Sequence, residues 1–115
     1  MVRRLFGGAA DPGDQDARLI AKLASAGVDL SRPMVVEHFL TLPDERMARQ
    51  VVAKLANTGG TVQLSPGLIG RRWTVRVSIP MVITLERITA MRERLGAFAA
   101  DHGGEYTGWG TRGGG

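Results

Sequence analysis

The feature that most constrains this chain is the segment 72–79, in which polar and apolar side chains alternate without a break. Strict alternation is typical of a β-strand that turns one face to the core and the other to water. Residues 61–65 alternate in the same way, and Pro66-Gly67 supplies a turn between the two segments. The chain therefore contains two antiparallel strands whose sheet is expected to be covered on one face only.

Three helices are predicted from apolar spacing, with acidic or capping residues at their starts and glycines at their ends. An acidic first turn complements the helix dipole, a proline at the start loses no hydrogen bond, and glycine is a frequent stop. The predicted helices lie between Asp14 and Gly27, between Pro43 and Gly59, and between Thr84 and Gly103.

Two further strands complete the predicted sheet. Residues 34–42 are rich in β-branched and aromatic side chains, and residues 105–109 form a short glycine-containing strand expected at an edge. The order of elements predicts an α+β fold, a ferredoxin-like βαββαβ sandwich with an additional N-terminal helix. Right-handed crossovers place the second and third helices on one face, with 34–42 and 72–79 as the central strands.

Alternation then assigns each strand residue to a face. The face under the helices is expected to hold Val36, His38, Leu40, Val62, Leu64, Trp73, Val75, Val77 and Ile79. The open face is expected to hold Glu37, Phe39, Thr41, Gln63, Arg72, Thr74, Arg76 and Ser78, joined by Glu105 and Trp109 if the last strand has no bulge. An uncovered sheet face is a common partner surface, unless the first helix or a second protomer covers it.

The length of 115 residues fits one domain, predicted over 14–110, with poorly ordered tails at 1–13 and 111–115. The absence of cysteine excludes disulfides and thiolate metal sites, and two distant histidines give no metal-ligand spacing. No phosphate-binding glycine loop occurs, so no cofactor is expected. We find no export signal and no apolar run long enough for a membrane span, which predicts a cytoplasmic protein.

Glu37, His38 and Glu105 are the candidate acid and base groups. Neighbouring residues of a strand face opposite ways, so Glu37 and His38 cannot address one substrate. His102, near the end of the third helix, suits the helix dipole and needs no further role. We therefore expect a protein that is not an enzyme.

The net charge of +4 is concentrated in the second part of the chain, where residues 71–115 hold seven basic and four acidic side chains. A basic sheet face with aromatic residues permits single-stranded RNA binding, with Arg71, Arg72, Arg76, Phe39 and Trp109 as the contacts. The third strand lacks the spaced, exposed aromatic residues of an RNA-recognition module. RNA binding is therefore retained as the alternative function.

Several segments, taken together, resemble the RraB family of regulators of ribonuclease E activity. They are Arg32-Pro33 leading into Glu37-His38-Phe39-Leu40, the Pro43-Asp44-Glu45 helix opening, Trp73-Thr74-Val75, and the run from Gly103 to Gly110. The resemblance covers about 14–110. It implies a non-enzymatic ferredoxin-like protein that binds the non-catalytic C-terminal part of ribonuclease E and lowers cleavage by altering degradosome assembly.

The resemblance maps the residues shared by the family to Glu37, His38, Trp73, Gly104, Glu105, Tyr106, Gly108 and Trp109. The chain departs from the usual pattern at Thr107, where aspartate is common, and in being basic rather than acidic. We expect ribonuclease E or a related degradosome protein to contact the open face and the edge at 104–110. The predicted contacts are Glu37, Phe39, Arg72, Arg76, Glu105, Tyr106 and Trp109. A purely structural role, with a bulge at Gly108 and Trp109 covering the sheet edge, is the competing interpretation.

Overall fold

A computed structural model describes residues 12–57, 59–67 and 70–111, and the predicted tail residues 1–11 and 112–115 lie outside these ranges. The described residues form an α+β fold with three helices and a four-stranded antiparallel sheet. In chain order the elements are α1 (Pro12–Ser25), β1 (Met34–Leu42), α2 (Glu45–Leu55), β2 (Thr61–Pro66), β3 (Trp73–Met81), α3 (Leu85–Ala100) and β4 (Glu105–Thr111). The first helix begins slightly before the predicted domain start at 14, and the last strand extends beyond 110.

The strands lie in the order β2-β3-β1-β4, with each neighbouring pair antiparallel. The predicted central positions of β1 and β3 and the pairing of the last strand with the first are confirmed. Because β1 is bonded on both sides, its alternating residues occupy the middle of both sheet faces.

Side-chain caps start the second and third helices where the sequence predicted them. The Asp44 carboxylate accepts a 2.9 Å hydrogen bond from the Met47 amide, and the Thr84 hydroxyl accepts one of 3.1 Å from the Arg87 amide. Each cap satisfies an amide that has no partner inside the helix. The first turns are thereby fixed against the ends of β1 and β3.

The main hydrophobic core lies between the sheet and the helices α2 and α3. The expected inner face is confirmed: Leu40, Val75 and Val77 are buried in this core, and the remaining predicted strand residues are buried or packed beside it. The buried members of the main core are Leu40, Leu42, Ala48, Val51, Leu55, Val75, Val77, Leu95 and Ala99. Apolar burial here supplies the driving force for the two-layer arrangement.

The first helix joins the helix layer rather than the open face. Its residues Leu19, Ile20 and Leu23 pack against a second buried cluster, which contains Val36, Ile83, Ile88 and Trp109. Since Val36 belongs to the helix-covered face of β1, α1 extends that layer toward β4. Within the described ranges, the opposite face of the sheet has no helix over it.

A β-bulge interrupts the pairing of β4 with β1. Phe39 lies opposite Gly108 and Leu40 opposite Tyr106, so Thr107 is the extra residue, and its hydroxyl donates a 3.1 Å hydrogen bond to the Phe39 carbonyl. The extra residue reverses the facing of the following positions. Trp109 therefore lies opposite His38 on the helix side, and the open-face position that was expected for it only in a strand without a bulge does not occur.

None of the helices in the described part of the chain is long and apolar enough to cross a membrane.

Candidate partner-binding site

The open face of the sheet is built by alternate residues of β1 and β3. Phe39 pairs with Arg76 across the two central strands, Glu37 pairs with Ser78, and Gln63 of β2 pairs with Arg76 on its other side. This placement is as expected from alternation. We call the surface formed by Glu37, Phe39, Arg72, Arg76 and Glu105 the partner face.

Arg76 is held by its two neighbours on this face. Its guanidinium donates a hydrogen bond to the side-chain oxygen of Gln63 and lies 3.8 Å from a carboxylate oxygen of Glu37. The Arg76 side chain is 41% exposed and that of Glu37 is 15% exposed. The charge of Arg76, one of the three arginines predicted on this strand, is therefore partly compensated within the sheet.

Phe39 supplies the aromatic part of the partner face. Its half-buried ring borders a hollow that it shares with Leu64, Thr74 and Arg76. Gly108, its neighbour on β4, has no side chain to cover the ring from that side. An aromatic ring surrounded by polar groups is the type of residue that dominates binding energy when a partner buries it.

Arg72 and Glu105 lie together at one end of the partner face. Both are exposed, and both border a hollow beside Thr41 and Gly104. A Cβ at Gly104 would overlap the carbonyl oxygen of Thr41, so only glycine allows β4 to begin this close to β1. The close approach places Glu105 opposite Thr41.

Tyr106 and Trp109, also predicted as partner contacts, lie on the helix side instead. Trp109 is only 9% exposed, and its indole nitrogen donates a 2.9 Å hydrogen bond to Asp16 of α1. The Tyr106 hydroxyl lies 2.8 Å from Nδ1 of His38. Tyr106 lies opposite Leu40, and the bulge at Thr107 brings Trp109 to the same inner face, so neither ring lies on the open face.

These two aromatic residues belong to a buried polar cluster, formed by Asp16, His38, Arg92, Tyr106 and Trp109. Arg92 of α3 contacts the Asp16 carboxylate through both Nε, at 3.0 Å, and Nη2, at 2.9 Å. Asp16 is 6% exposed. The carboxylate thus joins α1 to α3 and β4 through two charge-assisted hydrogen bonds, from Arg92 Nε and the Trp109 indole, and an ion-pair contact with Arg92 Nη2.

His38 and Tyr106 are neutral members of the cluster at neutral pH. Burial lowers the pKa of His38 to about 4, although the nearby Asp16 charge acts in the opposite direction. Burial, with a smaller contribution from Asp16, raises the pKa of Tyr106. Nε2 of His38 has no hydrogen-bond partner among the described residues, so the Tyr106 hydroxyl is the polar contact observed for this ring.

His102 connects the other two helices. Its Nδ1 lies 2.8 Å from the Phe98 carbonyl, and its Nε2 lies 3.3 Å from the Lys54 ammonium. An ammonium group only donates, so Nε2 accepts and Nδ1 carries the proton that is donated to Phe98. The expected placement of His102 at the end of the third helix is confirmed, and its two contacts link α2 to α3.

Sequence reasoning missed Asp16 and Arg92. A signal was present, because Asp16 precedes Leu19, Ile20 and Leu23 by three, four and seven residues and so shares their apolar side of α1. In the part of the chain that the structure describes, no group of three or more His, Asp or Glu side chains is arranged to hold a metal ion.

The family profile of RraB, described as regulator of ribonuclease activity B, matches residues 13–111. The chain belongs to the RraB family. The resemblance carried by its strand and C-terminal motifs is therefore confirmed. No curated protein matches the chain in a sequence search.

RraB-type residues in this chain divide between the two sides of the sheet. Glu37 and Glu105 lie on the partner face, whereas His38, Tyr106 and Trp109 lie in the buried polar cluster. Glu37 and His38 point to opposite faces, as predicted. The RraB motifs thus combine residues available to a partner with residues that hold β4 and α1 in place.

Proposed function

We propose that this RraB-family protein is a non-enzymatic regulator that binds ribonuclease E, or a related component of the RNA-degradation machinery, and modulates RNA decay by protein contact. Family membership supports a role in regulating ribonuclease activity. The strand order β2-β3-β1-β4 supports assigning the fold to the ferredoxin-like sandwiches.

The observation that carries the proposal is the position of Phe39 on a sheet face that no described helix covers. Its ring is flanked by the Glu37–Arg76 pair, and Arg72 and Glu105 lie toward one end. A central aromatic residue with a polar, mixed-charge rim is the usual composition of a protein–protein interface. Glu37, Phe39, Arg72, Arg76 and Glu105 are our proposed contacts.

We assign Tyr106 and Trp109 a supporting role in this function. Their hydrogen bonds to His38 and Asp16 secure β4 against β1 and α1. The partner face depends on that attachment, because Glu105 and the bulge opposite Phe39 both belong to β4.

The RNA-binding alternative has less support. Trp109 is buried, which removes one of the five proposed RNA contacts and leaves Phe39 as the single aromatic residue among them. Binding through n phosphate contacts should weaken with salt at a logarithmic slope of roughly 0.7n, whereas an aromatic protein contact should be much less sensitive.

Titration against the non-catalytic C-terminal segment of ribonuclease E tests the proposal, with single-stranded RNA titrated in parallel at two salt concentrations. We expect the protein segment to bind with weak salt dependence, and Phe39→Ala to weaken that binding about tenfold or more. Leu85→Ala is the matched control, since Leu85 is an exposed apolar residue of α3 outside the partner face. It should leave the affinity unchanged.

Two outcomes would contradict the proposal. One is RNA binding in the micromolar range together with no binding of the ribonuclease segment. The other is equal loss of affinity in Phe39→Ala and Leu85→Ala, which would remove the partner face from the interaction.

A further inference from the structure

A second surface lies on the helix side of the molecule, between the exposed side of α2 and the beginning of β3. It is an open groove of about 860 Å³, within the size range of ligand-binding clefts. The residues that matter to its chemistry are Glu45, Arg46, Arg49, Ala53, Arg71 and Trp73. None of them belongs to the partner face.

The groove has an apolar part. Trp73 is half-buried and packs against the main core on one side while it lines the groove on the other. Ala53, which is exposed on α2, adds a small side chain that leaves room above the helix. A partly exposed tryptophan beside a small residue can receive an apolar side chain.

The charged part of the groove is basic, because three arginines, Arg46, Arg49 and Arg71, line it with two carboxylates, Asp44 and Glu45. Glu45 forms a 2.6 Å ion pair with Arg49, and the Asp44 carboxylate is engaged in capping α2. Arg46 and Arg71 are exposed and have no ion-pair partner among the described residues. Two available guanidinium groups therefore border the apolar part.

Arg71 and Arg72, adjacent in the turn before β3, border different surfaces. Arg71 lines the groove beside Trp73, whereas Arg72 lines the hollow beside Glu105 on the other side of the sheet. The two adjacent arginines thus contribute to two different surfaces. On the helix-side surface, Arg71 is joined by Arg46 of α2.

We propose that this groove binds an acidic peptide segment, with an apolar side chain against Trp73 and Ala53 and carboxylates at Arg46 and Arg71. Guanidinium groups bind carboxylates through paired hydrogen bonds, and the net charge of +4 favours approach of a negative partner. The inference rests on the proposed function, and it adds that the regulated protein or its assembly presents such a segment.

The test uses two synthetic peptides of equal length, one rich in Asp and Glu around a central Leu and Trp, the other with Lys and Arg in place of the acids. Fluorescence anisotropy measures their binding to the full chain, to Arg46→Glu/Arg71→Glu, and to Ala53→Arg. The matched control is Arg87→Glu/Arg94→Glu, which makes the same charge change at two exposed positions of α3.

We expect the acidic peptide to bind, and Arg46→Glu/Arg71→Glu to weaken it at least tenfold while the α3 control changes it much less. Ala53→Arg should also weaken binding although it adds positive charge, because its side chain fills the groove. Binding of the basic peptide, no binding of the acidic one, or equal effects of the two charge-reversal variants would overturn the inference.

Ribonuclease E titrated against the same variants separates the two proposals. One outcome is that ribonuclease E binds, that among the variants only Phe39→Ala weakens this binding, and that the acidic peptide does not bind. In that case the groove proposal fails and the proposed function stands. If the acidic peptide binds in the groove and the ribonuclease does not bind at all, the proposed function fails. Single-stranded RNA competing for the groove with a steep salt dependence would also overturn the peptide assignment.

Discussion

Two carboxylate–arginine ion pairs lie on opposite sides of the sheet, and they differ in distance, exposure and additional hydrogen bonds. On the open face, Glu37 and Arg76 are 3.8 Å apart, with side chains 15% and 41% exposed. On the helix side, Asp16 and Arg92 are 2.9 Å apart, with side chains 8% and 21% exposed, and Trp109 donates a further hydrogen bond to the carboxylate. An ion pair that water can reach adds little to the free energy of unfolding, because each charge gives up hydration to contact its partner. In a buried pair, loss of one member leaves the other charge with neither water nor a partner.

The comparison explains why motif residues that are adjacent in sequence have different roles. Glu37 lies on the open face beside the 41% exposed side chain of Arg76, so this pair suits a binding surface. His38, one residue later, is fully buried and neutral, so it suits a fixed attachment between strands. A regulator needs both kinds of site: one that a partner can reach, and one that keeps the first in position.

The substitution Asp16→Ala tests the difference between the two ion pairs most strongly, because it has the largest expected effect on stability. The substitution leaves Arg92 without its ion pair and the Trp109 indole N–H without its acceptor, so we expect a loss of about 3–5 kcal/mol in the free energy of unfolding. Urea unfolding followed by circular dichroism measures it. Glu45→Ala, which breaks the exposed pair with Arg49, is the control and should cost less than about 0.5 kcal/mol. Similar costs for the two variants would remove the distinction between buried and exposed pairs.

Acid should destabilise the helix side through His38. Its pKa is about 4 in the folded protein, against 6.5 for an ordinary histidine, so between these values the unfolded chain binds a proton that the folded chain does not. The free energy of unfolding should therefore be unaffected by His38 above pH 6.5 and fall by roughly 3 kcal/mol as the pH drops to 4.

Urea unfolding at several pH values measures this dependence, with His38→Gln as the comparison. The variant retains a polar side chain near Tyr106 but lacks the titrating ring. Its stability should fall less steeply over the same range, because the contributions of all other groups are common to both proteins. If the free energy of unfolding falls equally with pH in both proteins, His38 is not the cause of the acid destabilisation.

The smallest of these effects is expected for Tyr106→Phe. Loss of the hydroxyl leaves Nδ1 of His38 without its 2.8 Å contact in a buried site, at a cost of about 1–2 kcal/mol. The affinity for the ribonuclease segment should change little, because Tyr106 lies beneath the partner face. A large loss of affinity at unchanged stability would instead return Tyr106 to the set of direct contacts.

The sequence predicted the elements well because their signals are local. Alternation in 72–79 and the caps at Asp44 and Thr84 depend on residues a few positions apart. Which side chains of β4 face the helices could not be predicted in the same way. Gly108 is compatible with a regular or a bulged strand, and the choice depends on pairing with Phe39, which lies far away in the chain.

By itself, the sequence determined the α+β element order, the inner face of the central strands and membership of the RraB family, since each follows from local periodicity or motifs. Only the tertiary structure decided which polar residues are buried. The bulge turned Trp109 inward, docking of α1 enclosed Asp16, and the turn before β3 sent Arg71 and Arg72 to different surfaces. Burial and charge pairing arise from contacts between distant segments, so the residue types alone could not specify them.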